Sequence, residues 1–297
     1  KDLEGAEYKI SKIEKKETKR TPPAPFTTST LQQQASHKLG YSAKQTMRLA
    51  QQLYEGIKAG DDDATGLITY MRTDSLNLSE KFLNETNIFL KTNFGDKYIL
   101  DKPRTFKNKS KGAQEAHEAI RPTDPTKTPE SLEGHLDPQQ LKLYSLIWKR
   151  TVATQMTEAK LNKTNFDITA KKYLFRATGQ SMIFDGWLKL YPEQVKNEML
   201  PELKEGEDVK CKELKPEQHF TEPPARYSDA TLVKALEEHG IGRPSTYAPT
   251  ISTIEARGYV ERDDNKRLKP LDIAMVVTDL LVKHVSQIAD YEFTAQM

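Results

Sequence analysis

Tyr70 and Arg72 lie two residues apart at the end of an apolar run over residues 66–70. In an extended strand this spacing puts both side chains on one face, where an arginine fork could hold a phosphate that the phenol oxygen attacks. Tyrosine has an ordinary pKa of about 10, so a tyrosine nucleophile needs positive charge or a base nearby. The pair therefore indicates attack on a phosphodiester, whereas an isolated strand tyrosine more often only packs in a core.

His117 and Arg121 lie four residues apart. A short helix over residues 114–121, ended by Pro122, would bring both side chains to one face and let them reach a shared phosphate. The alternative is a solvent-facing helix with a Glu118–Arg121 ion pair. A zinc protease is excluded, because Arg121 occupies the place of that motif's second histidine.

Metal binding has weak support in the sequence. The acidic run at residues 61–63 is the only candidate, and consecutive acids in a loop are more often solvated, since metal ligands converge from separated positions. The single cysteine, Cys211, excludes an internal disulfide and a cysteine-rich zinc module within these residues. We therefore predict no metal site in this chain.

The composition sets broad limits. A length of 297 residues favours two or three domains, and a net charge of +2 is too close to balance to indicate a nucleic-acid partner by itself. No apolar run approaches the roughly 20 residues of a membrane span, and no signal peptide is visible. We expect a cytoplasmic protein without a membrane partner.

The elements that must position these side chains change along the chain. Alternation over residues 8–13 predicts a strand, and prolines at 22–25 predict a linker. From Ser42 the spacing becomes helical, with an apolar stripe of Met47, Ala50, Tyr54 and Ile57. Residues 66–70 are predicted as a buried strand, and Asp137 is predicted to cap a helix that begins at Pro138. Residues 165–187 alternate again and predict strands.

The last part of the chain predicts two helices and a hairpin. Ser228 can cap the first helix, which ends at Gly240, and the second helix opens at Pro244 and ends near Gly258. A hairpin around residues 263–265 completes the winged-helix order, which is common in nucleic-acid-binding modules. A purely structural helix pair would give the same pattern.

Several ordered blocks resemble the type IA DNA topoisomerases, in particular the bacterial topoisomerase I branch. The block Gly-Leu-Ile-Thr-Tyr-Met-Arg-Thr-Asp-Ser at residues 66–75 resembles the family's active-site tyrosine motif, and Met71 fits the topoisomerase I branch. The remaining blocks are Pro-Phe-Thr-Thr-Ser-Thr-Leu-Gln-Gln at 25–33, Ala-His-Glu-Ala-Ile-Arg-Pro at 116–122, Phe-Asp-Gly-Trp at 184–187 and Gly-Arg-Pro-Ser-Thr-Tyr at 242–247.

The resemblance implies a multidomain α+β fold, part of the family's toroid core. Residues 1–24 and 152–222 would form two segments of a β-rich arch domain. Residues 25–151 would form a helical domain carrying the active-site tyrosine. Residues 223–297 would form a helical, winged-helix-like domain that binds single-stranded DNA and is truncated here.

The resemblance also implies roles for individual side chains. Tyr70 would attack one DNA strand and form a 5′-phosphotyrosine bond, Arg72 would stabilise charge on the phosphate, and His117 would hold or help protonate the scissile region. The path of the single strand would be lined by Arg243, Ser245, Thr246, Tyr247 and Arg257. The implied activity is that of an ATP-independent type I DNA topoisomerase, an isomerase that passes a strand, religates the break and relaxes negative supercoils.

Further partners follow from the resemblance. Mg²⁺ would be held by a Toprim domain of the same protein, which lies outside these residues. The zinc ribbons of the family would also lie outside them. We therefore expect a monomer that binds single-stranded or negatively supercoiled DNA, holds no metal and is inactive alone. The alternative is a non-catalytic winged-helix DNA-binding protein, in which Tyr70 and Arg72 are merely structural.

Overall fold

The computed structural model describes residues 2–56, 65–107, 117–195 and 198–297. The acidic run at 61–63 and residues 114–116 of the predicted short helix lie outside these ranges. The elements are β1 (Tyr8–Arg20), α1 (Thr28–Leu39), α2 (Ala43–Glu55), α3 (Glu80–Phe94), α4 (Pro138–Ala153), β2 (Ala159–Ala170), β3 (Tyr173–Phe184), β4 (Asp208–Val209), α5 (Asp229–Glu238), α6 (Tyr247–Ala256), β5 (Val260–Arg262), β6 (Leu268–Pro270), α7 (Asp272–His284) and α8 (Tyr291–Gln296).

The larger sheet is antiparallel, with strand order β3-β2-β1-β4. β1 pairs with β2 from Lys9 opposite Thr169 to Arg20 opposite Ala159, so the strand continues well past the alternation at residues 8–13. The charged residues after that point stay in the strand because their backbone groups pair with β2. The sheet thus joins the first predicted arch segment to the second, while the boundaries drawn between domains stay predictions.

The main core lies among α1, α2 and α4 and extends to Trp187 at the base of the sheet, where the indole Nε1 donates to the Arg20 carbonyl at 2.7 Å. α2 begins after Ser42, where the helical spacing was predicted to start, and the Ser42 side chain caps it. Its buried side includes Leu49, Ala50 and Leu53, whereas Tyr54, predicted on the apolar stripe, is exposed. Ile57 of the same stripe lies outside the described residues. α2 packs against α1, α4 and α6, and these contacts decide which of its side chains are buried.

A smaller module contains α5, α6 and the β5–β6 hairpin, the predicted winged-helix order. Ser228 caps α5 and Gly240 follows its end with φ of 71°, as predicted. α6 begins at Tyr247 rather than Pro244, because the Thr246 hydroxyl accepts from the Arg243 N–H at 2.8 Å and closes a turn before the helix. The fold is mixed α+β, as expected. No helix in the described ranges is long and apolar enough to cross a membrane.

Candidate active site

Tyr70 lies on a loop fastened to a second loop, not on the predicted strand. Ile68 forms an isolated β-bridge with Pro122, and the Thr69 N–H donates to the Arg121 carbonyl at 2.9 Å. The Thr69 hydroxyl also donates to the Ala119 carbonyl at 2.6 Å. Pairing with a short, irregular loop instead of a sheet leaves the tyrosine at the surface while its neighbours stay in the core.

Thr28 fastens the same loop from the other side. Its hydroxyl is buried at the start of α1, donates to the Met71 carbonyl at 2.7 Å and accepts from the Thr73 N–H at 2.8 Å. The Thr28 N–H donates to the Thr73 carbonyl at 2.9 Å. Met71 is fully buried, so Tyr70 and Arg72 on either side of it both face outward. Tyr70 and Arg72 thus share a face, as predicted, because the buried Met71 side chain lies between them.

The Tyr70 ring is flanked by two other rings. Its centroid lies 5.4 Å from that of Tyr54 in an edge-on arrangement and 5.7 Å from that of His117. Edge-to-face pairs at such distances stabilise a fixed ring orientation. Tyr70 is 36% exposed, so the phenol remains accessible while its ring is held.

The outward side chains of this loop line a cavity of about 410 Å³. His117 joins them from the second loop, and the turn before α6 completes the wall. The lining residues are Tyr70, Arg72, Thr73, Asp74, His117, Arg243, Pro244 and Ser245. The cavity therefore brings Tyr70, Arg72 and His117 together with Arg243 and Ser245 from the smaller module, although more than a hundred residues separate the two groups in sequence.

Three predicted site residues lie outside this cavity. Thr246 uses its hydroxyl in the turn before α6, and Tyr247 is buried in the small core with Val233 and Ile251. Arg257 follows the end of α6, about 15 Å from Tyr247 along the helix axis at roughly 1.5 Å per residue. Their contact with a DNA strand stays a prediction.

The predicted pairing of His117 and Arg121 on a helix face is wrong. Residues 117–121 are not helical, and the Arg121 guanidinium is buried, where it donates to both oxygens of Glu118 at 2.6 and 2.9 Å and stacks on Phe82. Burial alone would raise the pKa of Glu118, but Arg121 and the Ser79 donors outweigh it and hold the pKa below its ordinary value. Arg121 thus supports the loop, as the alternative ion-pair interpretation expected, and cannot reach a phosphate in the cavity.

The two walls of the cavity meet along a seam between α1–α2 and α5–α6. Asp229, buried at the start of α5, accepts from the Ala43 N–H at 2.8 Å and from Arg262 at 2.7 Å. Arg262 also binds both oxygens of Glu255 on α6 at 2.6 and 2.9 Å. The hydrogen bond with Glu255 and then that with Asp229 raise the pKa of Arg262 above its ordinary value.

A second polar contact crosses the same seam, from the Ser29 hydroxyl to Glu237 at 2.7 Å. Sequence reasoning missed Thr28, Asp74 and Asp229. The first two lie within the blocks that carry the family resemblance, so their place in those blocks was the available signal. Asp229 is indistinguishable in sequence from an ordinary first-turn acid of a helix.

The described residues contain no group of three or more histidine, cysteine, aspartate or glutamate side chains able to hold a metal ion. The donor set in this part of the chain thus does not fit the Mg²⁺ that the resemblance implies for the intact enzyme. The acidic run at 61–63 lies outside the described residues.

A family model described as DNA topoisomerase matches residues 1–297. The chain belongs to the bacterial type IA DNA topoisomerase family. It is 49% identical to DNA topoisomerase 1 of Rickettsia felis, covering 99% of this chain and 38% of that protein. It is 48% identical to DNA topoisomerase 1 of Campylobacter jejuni, covering 98% of this chain and 41% of that protein. The chain thus spans about two fifths of the curated relatives it matches.

A solved structure agrees with this membership. The full-length topoisomerase I of Thermotoga maritima superposes with a TM-score of 0.86 at 39% identity, covering 98% of this chain and 47% of that one. The similarity extends through both the main body and the smaller module, since nearly all of this chain is covered.

Proposed function

We propose that this chain supplies the nucleophile and phosphate-binding side chains of an ATP-independent DNA topoisomerase that cleaves one strand, passes a strand and religates the break. The observation that carries the proposal is the cavity shared by Tyr70, Arg72, His117 and Arg243. It places an accessible phenol beside two guanidinium groups and an imidazole. That is the set required for displacement at a phosphodiester.

In the proposed step the Tyr70 oxygen attacks phosphorus, and the bond from phosphorus to the 3′ oxygen of the upstream nucleotide breaks. The phenol loses its proton, the leaving 3′ oxygen gains one, and a 5′-phosphotyrosine remains. One phosphodiester replaces another, so the 3′ hydroxyl can reverse the step without ATP. Release of negative supercoiling drives the passage between the two steps.

Arg72 and Arg243 are free to bind the phosphate. Neither forms an ion pair with a carboxylate among the described residues, and the Arg243 guanidinium donates to the Gly240 and Gly242 carbonyls. A cation that is already held in position lowers the activation barrier most where negative charge develops in the transition state. His117 lies against the Tyr70 ring, where it can hold the phosphate or donate a proton to the leaving oxygen.

Mg²⁺ supplies charge neutralisation at the phosphate when bound in the intact family enzyme, and we place its ligands in the Toprim domain that the resemblance implies. We assign no step here to a metal. The present chain alone is then a monomeric single-strand-binding module that does not relax supercoiled plasmid. Relaxation by the pure chain would contradict this division of labour.

The nucleophile can be tested in a chimera in which this chain replaces the matching segment of the Rickettsia felis enzyme, to which it is 49% identical. The chimera should form a 5′-phosphotyrosine adduct on a labelled single strand. Tyr70→Phe should abolish the adduct and leave strand binding nearly unchanged, because only a hydroxyl is lost. Tyr54→Phe is the matched control, since Tyr54 packs against Tyr70 and should keep the adduct.

Arg72→Ala should slow adduct formation by about 10²-fold or more while Tyr70 stays available, the usual scale for removing one charge-stabilising donor. An adduct that persists in Tyr70→Phe would show that another residue attacks. If the unaltered chimera formed no adduct at all, the alternative of a non-catalytic DNA-binding module would fit the chain better.

Strand binding is tested on the chain itself. Fluorescence anisotropy should show tighter binding to a single strand than to a duplex of the same length. Affinity should fall as salt is raised, because phosphate contacts release counterions. Equal affinity for both forms, or no dependence on salt, would count against the proposal.

A further inference from the structure

A second cavity, of about 280 Å³, opens between α2 and α6 beside the candidate active site. It shares Arg72, Pro244 and Ser245 with the cavity that contains Tyr70, so the two cavities are adjacent. We call this second cavity the α2–α6 slot. It extends away from the tyrosine towards Lys44 on α2 and Ser252 on α6.

The walls of the slot are mainly apolar. Met47 of α2 faces Ala248 and Pro249 of α6, and Pro244 lies at the shared boundary. Small-molecule sites typically have apolar walls with a few polar groups placed among them. The volume lies below the range of about 300 to 1,000 Å³ common for such sites, so the slot suits one small planar group.

The rim of the slot is positively charged. Lys44 and Arg72 are exposed at its edge, and neither forms an ion pair with a carboxylate in the described part of the chain. The lining includes no acidic side chain, and Ser245 and Ser252 add hydroxyl groups. An apolar slot with an uncompensated cationic rim fits an aromatic base attached to a phosphate.

We propose that the α2–α6 slot binds one unpaired nucleobase of the DNA strand whose phosphate lies beside Tyr70, with Lys44 on a neighbouring phosphate. This inference rests on the proposed function, since it assigns the strand to the Tyr70 cavity. A paired base is held within the duplex stack and enters such a slot only after unstacking. The slot therefore selects a single strand next to the cleavage position.

The test compares two strands of equal length: oligo(dT), and a strand made entirely of abasic residues. Ser252→Phe fills the slot from α6, and Thr250→Phe is the matched control on the opposite, exposed side of the same helix. Ser252→Phe should weaken binding to oligo(dT) about tenfold, the scale of one base contact, and leave the abasic strand unaffected. Thr250→Phe should change neither. Lys44→Ala should weaken both, because it removes a phosphate contact.

A second measurement does not depend on these variants. Oligo(dT) carrying photoreactive 4-thiothymidine should crosslink the unaltered chain at Met47 in the slot. Crosslinks elsewhere but none in the slot would overturn the proposal, as would an unchanged oligo(dT) affinity in a folded Ser252→Phe protein. Either result leaves the proposed function intact if salt-sensitive strand binding remains. If the unaltered chain binds neither strand, the slot proposal and the proposed function both fail.

Discussion

The two walls of the candidate active site are held by different means. The tyrosine wall belongs to the large core, and its loop is fastened by backbone pairing with residues 119–123 and by the buried Thr28 hydroxyl. The Arg243 wall belongs to a module with a small core, followed by α7, which buries none of its residues.

Because of this difference, the position of the nucleophile and the position of the strand-binding residues depend on different contacts. Tyr70 and Arg72 are positioned within one packed body. The distance from them to Arg243 and Ser245 depends on the seam, where Asp229 and Glu237 make the polar contacts described above. Changes in the seam should therefore alter strand binding before they alter the tyrosine loop.

The largest effect on the smaller module is expected at the seam itself. Asp229→Ala should lower the free energy of unfolding of the module by about 3 kcal/mol, because it leaves the Arg262 guanidinium partly buried without its partner and the Ala43 N–H unpaired. Hydrogen exchange measured at increasing urea concentration would show which part of the chain loses free energy of unfolding. Asp279→Ala, an exposed acid on α7, should change stability little. A loss of stability confined to the main body would contradict the proposed difference between the two walls.

A smaller effect is expected at Thr28, on the tyrosine wall. Thr28→Val removes a buried hydroxyl and leaves the Met71 carbonyl and the Thr73 N–H unpaired, which should cost about 2 kcal/mol. Adduct formation in the chimera should slow as well. Thr86→Val is the matched control, because Thr86 is equally buried but its hydroxyl has no hydrogen-bond partner among the described residues, so its loss should be neutral or stabilising. Equal losses in both variants would refute a specific role for Thr28.

The support beneath the tyrosine loop should depend on pH. The pKa of Glu118 is lowered in the folded state, so its contribution is present above its unfolded pKa of about 4.3 and is lost as the pH falls through the folded value. Glu118→Gln should cost about 1 kcal/mol at pH 7, discounted for partial exposure, and less at pH 3. Urea midpoints at both values test this. The exposed Glu133→Gln variant should show no such trend.

The smallest effect is expected on α7. Val276 is 56% exposed, so Val276→Ser should change the free energy of unfolding by no more than about 0.5 kcal/mol. Leu49→Ala, in the main core, should cost about 2 to 5 kcal/mol by the same measurement. A comparable loss at Val276 would show that α7 is packed in solution, and the contrast between the two regions would disappear.

Local signals in the sequence were sufficient for several elements. Ser42, Asp137 and Ser228 cap the helices that they were predicted to begin, because a cap depends on a side chain and the backbone a few residues ahead. The winged-helix order and the family were also readable, since both rest on ordered blocks along the chain. The spacing of two residues predicted that Tyr70 and Arg72 share a face, whereas the outward direction of that face was not predicted.

Only the tertiary structure decided which of the candidate side chains meet. Arg121 has the same spacing from His117 whether the segment is a helix or an extended loop, and pairing with the Tyr70 loop made it extended and buried its guanidinium. Arg243 and Ser245 reach Tyr70 through a seam closed by Asp229, a contact between residues that are distant in sequence. Side-chain type and spacing encode short-range geometry, whereas the burial of a charge depends on which distant segment packs over it.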